Sequence, residues 1–149
     1  MDLVFLLDAS SSVGAEDFQN VLTFVKHLLQ DADIDDGQAR VGLLSFSTDI
    51  NIHFQLGEFR KKRDILKAVD KTPYNPGSTN TADAILAMRT EMFTKQNGDR
   101  KRVPNMAVVI TDGLSNFNSD RTVTEAIKAH AEGIHVFAIG KMILICIFT

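Results

Sequence analysis

An unbroken apolar run, Leu3-Val4-Phe5-Leu6-Leu7, that stops on Asp8 limits what this chain can fold into more than any other feature. The run is too short for a helix and rich in β-prone side chains, and it does not alternate, so both of its faces must be covered. That is the profile of a strand in the middle of a parallel sheet. Asp8 then falls where a central strand ends, and Asp8-Ala9-Ser10-Ser11-Ser12 sets a carboxylate and two hydroxyls on one side of a tight loop. Hard oxygen donors in that arrangement suit a small hard cation. A second continuous apolar run, residues 106–110, ends the same way, on Thr111-Asp112-Gly113.

Between and after these runs the pattern alternates. Residues 15–30 carry Phe18, Val21, Leu22, Val25, Leu28 and Leu29 at helical spacing. Residues 39–46 predict a second strand, and a short turn at Ser47-Thr48-Asp49 leads into the alternating segment 50–54, which must be an antiparallel edge strand because so short a connection cannot cross over. A short helix is expected over 61–69 and a loop over 72–80, with Pro73, Pro76 and Gly77. Thr81 can cap a helix running to about Phe93, and Thr122 with Glu125 reads as a capping box for a helix through Ala131, stopped by Gly133. Residues 134–139 are the last clear strand. The expected fold is α/β: a doubly wound, mainly parallel sheet with one antiparallel edge strand and helices on both faces. Such sheets bind ligands at the carboxyl ends of strands where the winding reverses. With the first strand central, that crevice lies between Asp8 and Asp112.

Composition narrows the function classes. The net charge of −3 over 149 residues favours neither nucleic acid nor an anionic membrane. One cysteine, Cys146, rules out an internal disulfide, and no basic leader with a small-residue cleavage site precedes the first strand.

Asp8-x-Ser10-x-Ser12, the loop Gly77-Ser78-Thr79-Asn80-Thr81 and Thr111-Asp112-Gly113 together resemble a metal-ion-dependent adhesion site. With Arg40-Val41-Gly42 and Val136-Phe137-Ala138-Ile139-Gly140, the chain from Asp2 to Gly140 is similar to von Willebrand factor type A domains of the matrilin, collagen and integrin I kind. The resemblance implies Asp8, Ser10, Ser12, Thr79 and Asp112 as residues of a Mg²⁺ (or Mn²⁺) site, with no catalytic residues. It implies an extracellular, non-catalytic adhesion module whose ion bridges to an Asp or Glu of a protein ligand such as collagen or another matrix protein, with no nucleic acid and no membrane insertion. Neutral hydroxyl ligands leave the ion short of negative charge and one position open for that carboxylate. Leu114 and the polar segment 115–120 should rim the site and name no ligand. The family pattern continues past the last matched strand with another strand and a C-terminal helix. Residues 1–140 are therefore expected to be an incomplete domain of a longer multidomain protein, and 141–149 a divergent apolar tail that can pair as a sixth strand.

Other signals are weaker. A Mg²⁺-dependent hydrolase or phosphoryl-transfer enzyme also places aspartates at strand ends, but the position two after Asp8 is Ser10 rather than a second carboxylate, and no general base or phosphate-clamping Lys is evident nearby. A purely structural matrix domain is the third reading. Asp31-x-Asp33-x-Asp35 opens like a calcium loop but has Asp36 where Gly is needed and Gly42 where Glu is needed. Arg60-Lys61-Lys62-Arg63 and Arg100-Lys101-Arg102 read as exposed basic connections rather than polyanion sites. His27, His53, His130 and His135 lie on separate elements without metal-ligand spacing.

Overall fold

The computed structural model describes residues 1–113, 119–140 and 144–146. Strand β1 (Asp2–Asp8) is followed by helix α1 (Gly14–Gln30), strands β2 (Arg40–Phe46) and β3 (Ile50–Phe54), helices α2 (Lys62–Asp70) and α3 (Thr81–Ala87), strand β4 (Asn105–Ile110), helix α4 (Ser119–Ala131), and strands β5 (Ile134–Ile139) and β6 (Leu144–Cys146). The sheet order is β3-β2-β1-β4-β5-β6. β1 pairs in parallel with β2 on one side and β4 on the other, so the apolar run is central as its lack of alternation requires. β3 is the antiparallel edge expected from its short turn, and β6, from the apolar tail, adds a second antiparallel edge against Phe137–Ile139.

The pleat sends alternate side chains of β1 to opposite cores. Val4 and Leu6 join Leu44, Phe46, Ala107 and Val109 beneath α3 and α4, where Ala84, Met88, Ala126 and Ala129 close the layer. Phe5 and Leu7 join Val41, Leu43 and Ile110 beneath α1 and α2, against Phe18, Leu22, Val25, Ile65 and Val69. Fully burying one side chain of this size contributes about 1.5–3 kcal/mol, so β1, buried on both faces, is the strand the sheet can least spare.

Three local expectations are corrected. α3 is capped by Asn80, whose side chain accepts from the Asp83 N–H, and not by Thr81. Helical winding continues toward Phe93, but its last turn, Met88–Met92, widens to π geometry. α4 begins at Ser119, so Thr122 and Glu125 are not a capping box. Glu125 is instead buried in an ion pair with Arg89, 2.8 Å away on the π turn, and with Lys128 at 2.8 Å. A tertiary partner has taken the carboxylate that local spacing assigned to a cap. Leu114 and residues 115–118 of the expected rim lie outside the described residues, as do 141–143 and 147–149 of the tail.

Candidate metal centre

The parallel register brings the ends of β1 and β4 side by side: Leu7 is level with Ile110 and Asp8 with Phe46 of β2. One further backbone bond, Ala9 N–H to the Phe46 carbonyl at 2.8 Å, carries β1 past its last formal residue before the loop turns. Asp8 is only 1 % exposed, yet both carboxylate oxygens are engaged. Oδ1 accepts from the Ser10 N–H at 2.8 Å and Oδ2 from the Thr111 hydroxyl at 2.6 Å. The first bond is local and shapes the turn, as Asp side chains commonly do. The second fixes the carboxylate from the neighbouring strand.

The hydroxyls follow in line. Ser10 Oγ lies 3.0 Å from Ser12 Oγ, and Ser12 Oγ donates to Asp112 Oδ1 at 3.2 Å, joining the loop after β1 to the loop after β4. Among the described residues no Lys, Arg or His pairs with Asp8 or Asp112, and no group of three or more His, Cys, Asp or Glu forms a cluster. The centre thus offers two carboxylates and neutral hydroxyls, all hard oxygen donors.

The loop of residues 71–80 closes on this centre from the β2 side. Gly77 O accepts from the Ser11 N–H at 2.9 Å, the Asn80 N–H donates to Ser47 O at 3.0 Å, and the Ser78 N–H donates to Thr48 Oγ1 at 2.9 Å. A Cβ at Gly77 would stand 2.6 Å from Thr48 Oγ1, so only glycine permits the approach. Tyr74 adds a further tether: its hydroxyl donates to the Ser10 carbonyl at 3.1 Å while its ring packs 5.4 Å from that of Phe18 on α1. Thr79 sits between the pinned residues, 4 % exposed.

Asp8, Ser10, Ser12 and Asp112 are therefore one hydrogen-bonded group, and Thr79 lies in the loop docked on it. Thr111 and Tyr74, which orient that group, were not singled out by sequence reasoning. Thr111 directly follows an apolar strand and precedes Asp112, and Tyr74 is the chain's one tyrosine, set in a loop with two prolines. Those are the only local signals either residue offers. A cleft of about 260 Å³ runs from Asp8, Thr111 and Asp112 along Val21 and Phe24 of α1 to Ile139.

Comparison with known proteins agrees with this geometry. The family model described as the von Willebrand factor type A domain matches residues 2–142. Chicken (Gallus gallus) matrilin-1 is 37% identical over 140 residues, covering 94% of this chain and 28% of that protein. The mouse (Mus musculus) collagen alpha-4(VI) chain is 33% identical over 141 residues, covering 93% of this chain and 6% of that one. This chain thus spans a minor part of the relatives it matches. Proximal thread matrix protein 1 from the mussel byssus superimposes with a TM-score of 0.87 at 30% identity, covering 93% of this chain and 37% of that one. A further structure of the mussel protein has a zinc-occupied metal-ion-dependent adhesion site, with a TM-score of 0.86 at 29% identity and the same coverage. Relatives of this kind belong to the extracellular matrix, and that is where this domain is placed; among the described residues no helix is long and apolar enough to cross a membrane.

Proposed function

This chain belongs to the von Willebrand factor type A domain family, and from that premise we propose that it is a non-catalytic adhesion module in which Asp8, Ser10, Ser12, Thr79 and Asp112 hold a Mg²⁺ (or Mn²⁺) ion. The observation that carries the reading is the oxygen spacing. In an octahedral Mg²⁺ site with bonds of 2.0–2.1 Å, neighbouring oxygens stand about 2.9 Å apart. The Ser10–Ser12 and Ser12–Asp112 separations of 3.0 and 3.2 Å are nearly those edges, so an ion can take the place of the hydrogen bonds between these oxygens with little movement, the hydroxyls turning their protons outward and staying neutral. Two uncompensated carboxylates supply the charge that draws a cation in.

The bound ion would supply an electrophilic docking point. The chain's own residues do the rest: Thr111 holds Asp8 in place, the Gly77–Ser11 bond ties the loop that carries Thr79 to the loop after β1, and the hydroxyl-rich donor set keeps the local charge low enough to attract an acidic side chain. The ligand is an Asp or Glu presented by a matrix protein, collagen being the first candidate in view of the matrilin and collagen VI relatives.

The test is binding to immobilised collagen, alongside thermal unfolding, in EDTA and across a Mg²⁺ titration. Wild type should gain stability with Mg²⁺, because a ligand that binds only the folded state stabilises it, and Asp112→Ala should be blind to the ion. Full collagen binding in excess EDTA would sink the metal bridge.

A further inference from the structure

The opposite pole of the sheet gathers two basic runs that are far apart in the sequence. Arg60-Lys61-Lys62-Arg63 leads into α2 and Arg100-Lys101-Arg102 leads toward β4. Their loops are packed backbone to backbone: the Gly57 N–H donates to Asn97 O at 2.9 Å, and a Cβ on Gly98 would fall 2.3 Å from the Gly57 nitrogen. Arg40, at the start of β2, lies between the loops and donates to Gly98 O at 2.6 Å. Its guanidinium is held below its usual pKa first by burial and then by the nearby charges of Arg60 and Arg100.

Three acidic groups of this pole are already engaged, while Asp99, one residue before Arg100, keeps its Oδ1 buried without a hydrogen-bond partner among the described residues. Buried Asp2 is paired with Arg100 at 2.7 Å, the Glu58 carboxylate accepts the Gln55 N–H at 3.0 Å, and Asp35 accepts the Lys62 N–H at 2.9 Å. Arg100 is spent as well, its Nη1 donating to Gly37 O at 2.7 Å and the Nη2 that meets Asp2 donating also to Met1 O at 2.9 Å. Arg60, Lys61, Lys101 and Arg102 remain exposed, and none of them has an ion pair among the described residues. A net charge of −3 gives the whole molecule no general attraction for polyanions, so this concentration of positive charge is local.

We propose that Arg60, Lys61, Lys101 and Arg102 form a second binding surface that takes the sulfate groups of a sulfated glycosaminoglycan, a function beyond the metal-dependent one and independent of it. Guanidinium forks match oxyanions bidentately, and lysines add mobile point charges. The ligand is a linear polyanion because the contacts come from exposed side chains on two loops. It is a sulfated polysaccharide rather than a nucleic acid because the domain belongs to the extracellular matrix.

The test is salt elution from immobilised heparin, with hyaluronan and phosphatidylserine vesicles as unsulfated comparisons. Wild type should be retained at about 0.15 M salt. Arg60→Gln/Arg102→Gln should bind about tenfold more weakly or worse, the scale of losing two charge-assisted contacts. Lys67→Gln/Lys71→Gln, which removes equal charge from exposed positions of α2 and its end, should elute as wild type does, and matching unfolding midpoints would show that both variants are folded. EDTA and Asp112→Ala should leave retention unchanged. No retention of wild type, equal loss in both double variants, equal binding to hyaluronan or to the vesicles, or release by EDTA would each overturn the proposal.

Discussion

Replacing Thr111 by Val tests whether the site is held ready from the neighbouring strand. The side chains are nearly isosteric, so the change removes one hydroxyl, and with it the 2.6 Å bond to Asp8 Oδ2 and the contacts of the same oxygen with Gly113 O at 3.0 Å and the Gly113 N–H at 3.3 Å. Asp8 is buried, and a buried charged acceptor that loses its donor costs about 1–3 kcal/mol. For a domain of this size each kcal/mol moves the unfolding midpoint by about 2–4 °C, so the variant should melt roughly 2–12 °C lower in EDTA. The ion supplies the second reading. Removing a group that orients a metal ligand commonly weakens metal affinity by about 10–100-fold. At a Mg²⁺ concentration of about 100 wild-type Kd, where wild type gains about 2.7 kcal/mol, the variant should gain only about 1.4 to 0.4 kcal/mol. Thermal unfolding with and without Mg²⁺ measures both effects on one sample. A variant whose midpoint in EDTA matches wild type and whose Mg²⁺ response is undiminished would refute the idea that Thr111 positions Asp8.

Gly98→Ala should abolish cooperative folding or cost well over about 3 kcal/mol, because φ is +106° and the new Cβ would overlap the Gly57 backbone; a midpoint within a few degrees of wild type would contradict this. Glu125→Gln should cost about 2–3 kcal/mol in urea unfolding, less than a fully orphaned buried charge because Arg89 keeps Glu132 at 2.6 Å. In wild type the Lys128 hydrogen bond, and then that of Arg89, holds the Glu125 carboxyl below its ordinary 4.5 against the opposing effect of burial. That stability is present above about pH 4.5 and is lost as pH falls through the lower folded value, a loss the Gln variant should not show. His53, half-buried and 2.7 Å from the buried Ser45 hydroxyl, is pushed below 6.5 by burial. Its contribution is full above about pH 6.5 and declines as pH drops through the folded value, so His53→Gln should flatten stability over that acidic window.

The order of the sheet was legible because apolar runs with no alternation can only be central strands, and β1 and β4 are both of that type. The antiparallel edge was legible from the three-residue turn before β3. What escaped the sequence depended on partners distant along the chain. Thr122 and Glu125 have the spacing of a cap, but Glu125 faces Arg89 across a helix pair, and no local pattern distinguishes the two uses of a glutamate. Asn80 rather than Thr81 caps α3 because the backbone of Asn80 is already tied to Ser47, which fixes where helical winding can begin. At the candidate site the donors stood out by spacing, whereas Thr111 and Tyr74 act on Asp8 and Ser10 from positions that mean nothing until the strands are paired.

The near-neutral net charge conceals a separation that bears on how the domain would work. Among the described residues, Asp8 and Asp112 have no cation paired with them at one pole, and Arg60, Lys61, Lys101 and Arg102 have no acid paired with them at the other. Ion pairs elsewhere in the molecule do close, as in Lys26–Asp70, Arg89–Glu125 and Arg121–Asp83. Pairing was thus available in the same fold, and the two poles are among the places where it does not occur. Between them stands the fully buried middle of β1, from Val4 to Leu7, packed on both faces and repacked only at a cost of several kcal/mol. A core that rigid transmits little displacement, so occupancy of one pole should not alter affinity at the other, since coupling requires an element with two arrangements that both sites bias. On the two proposals together, a module built this way would join two matrix polymers additively: an acidic protein segment through the ion, and a sulfated chain through the basic loops.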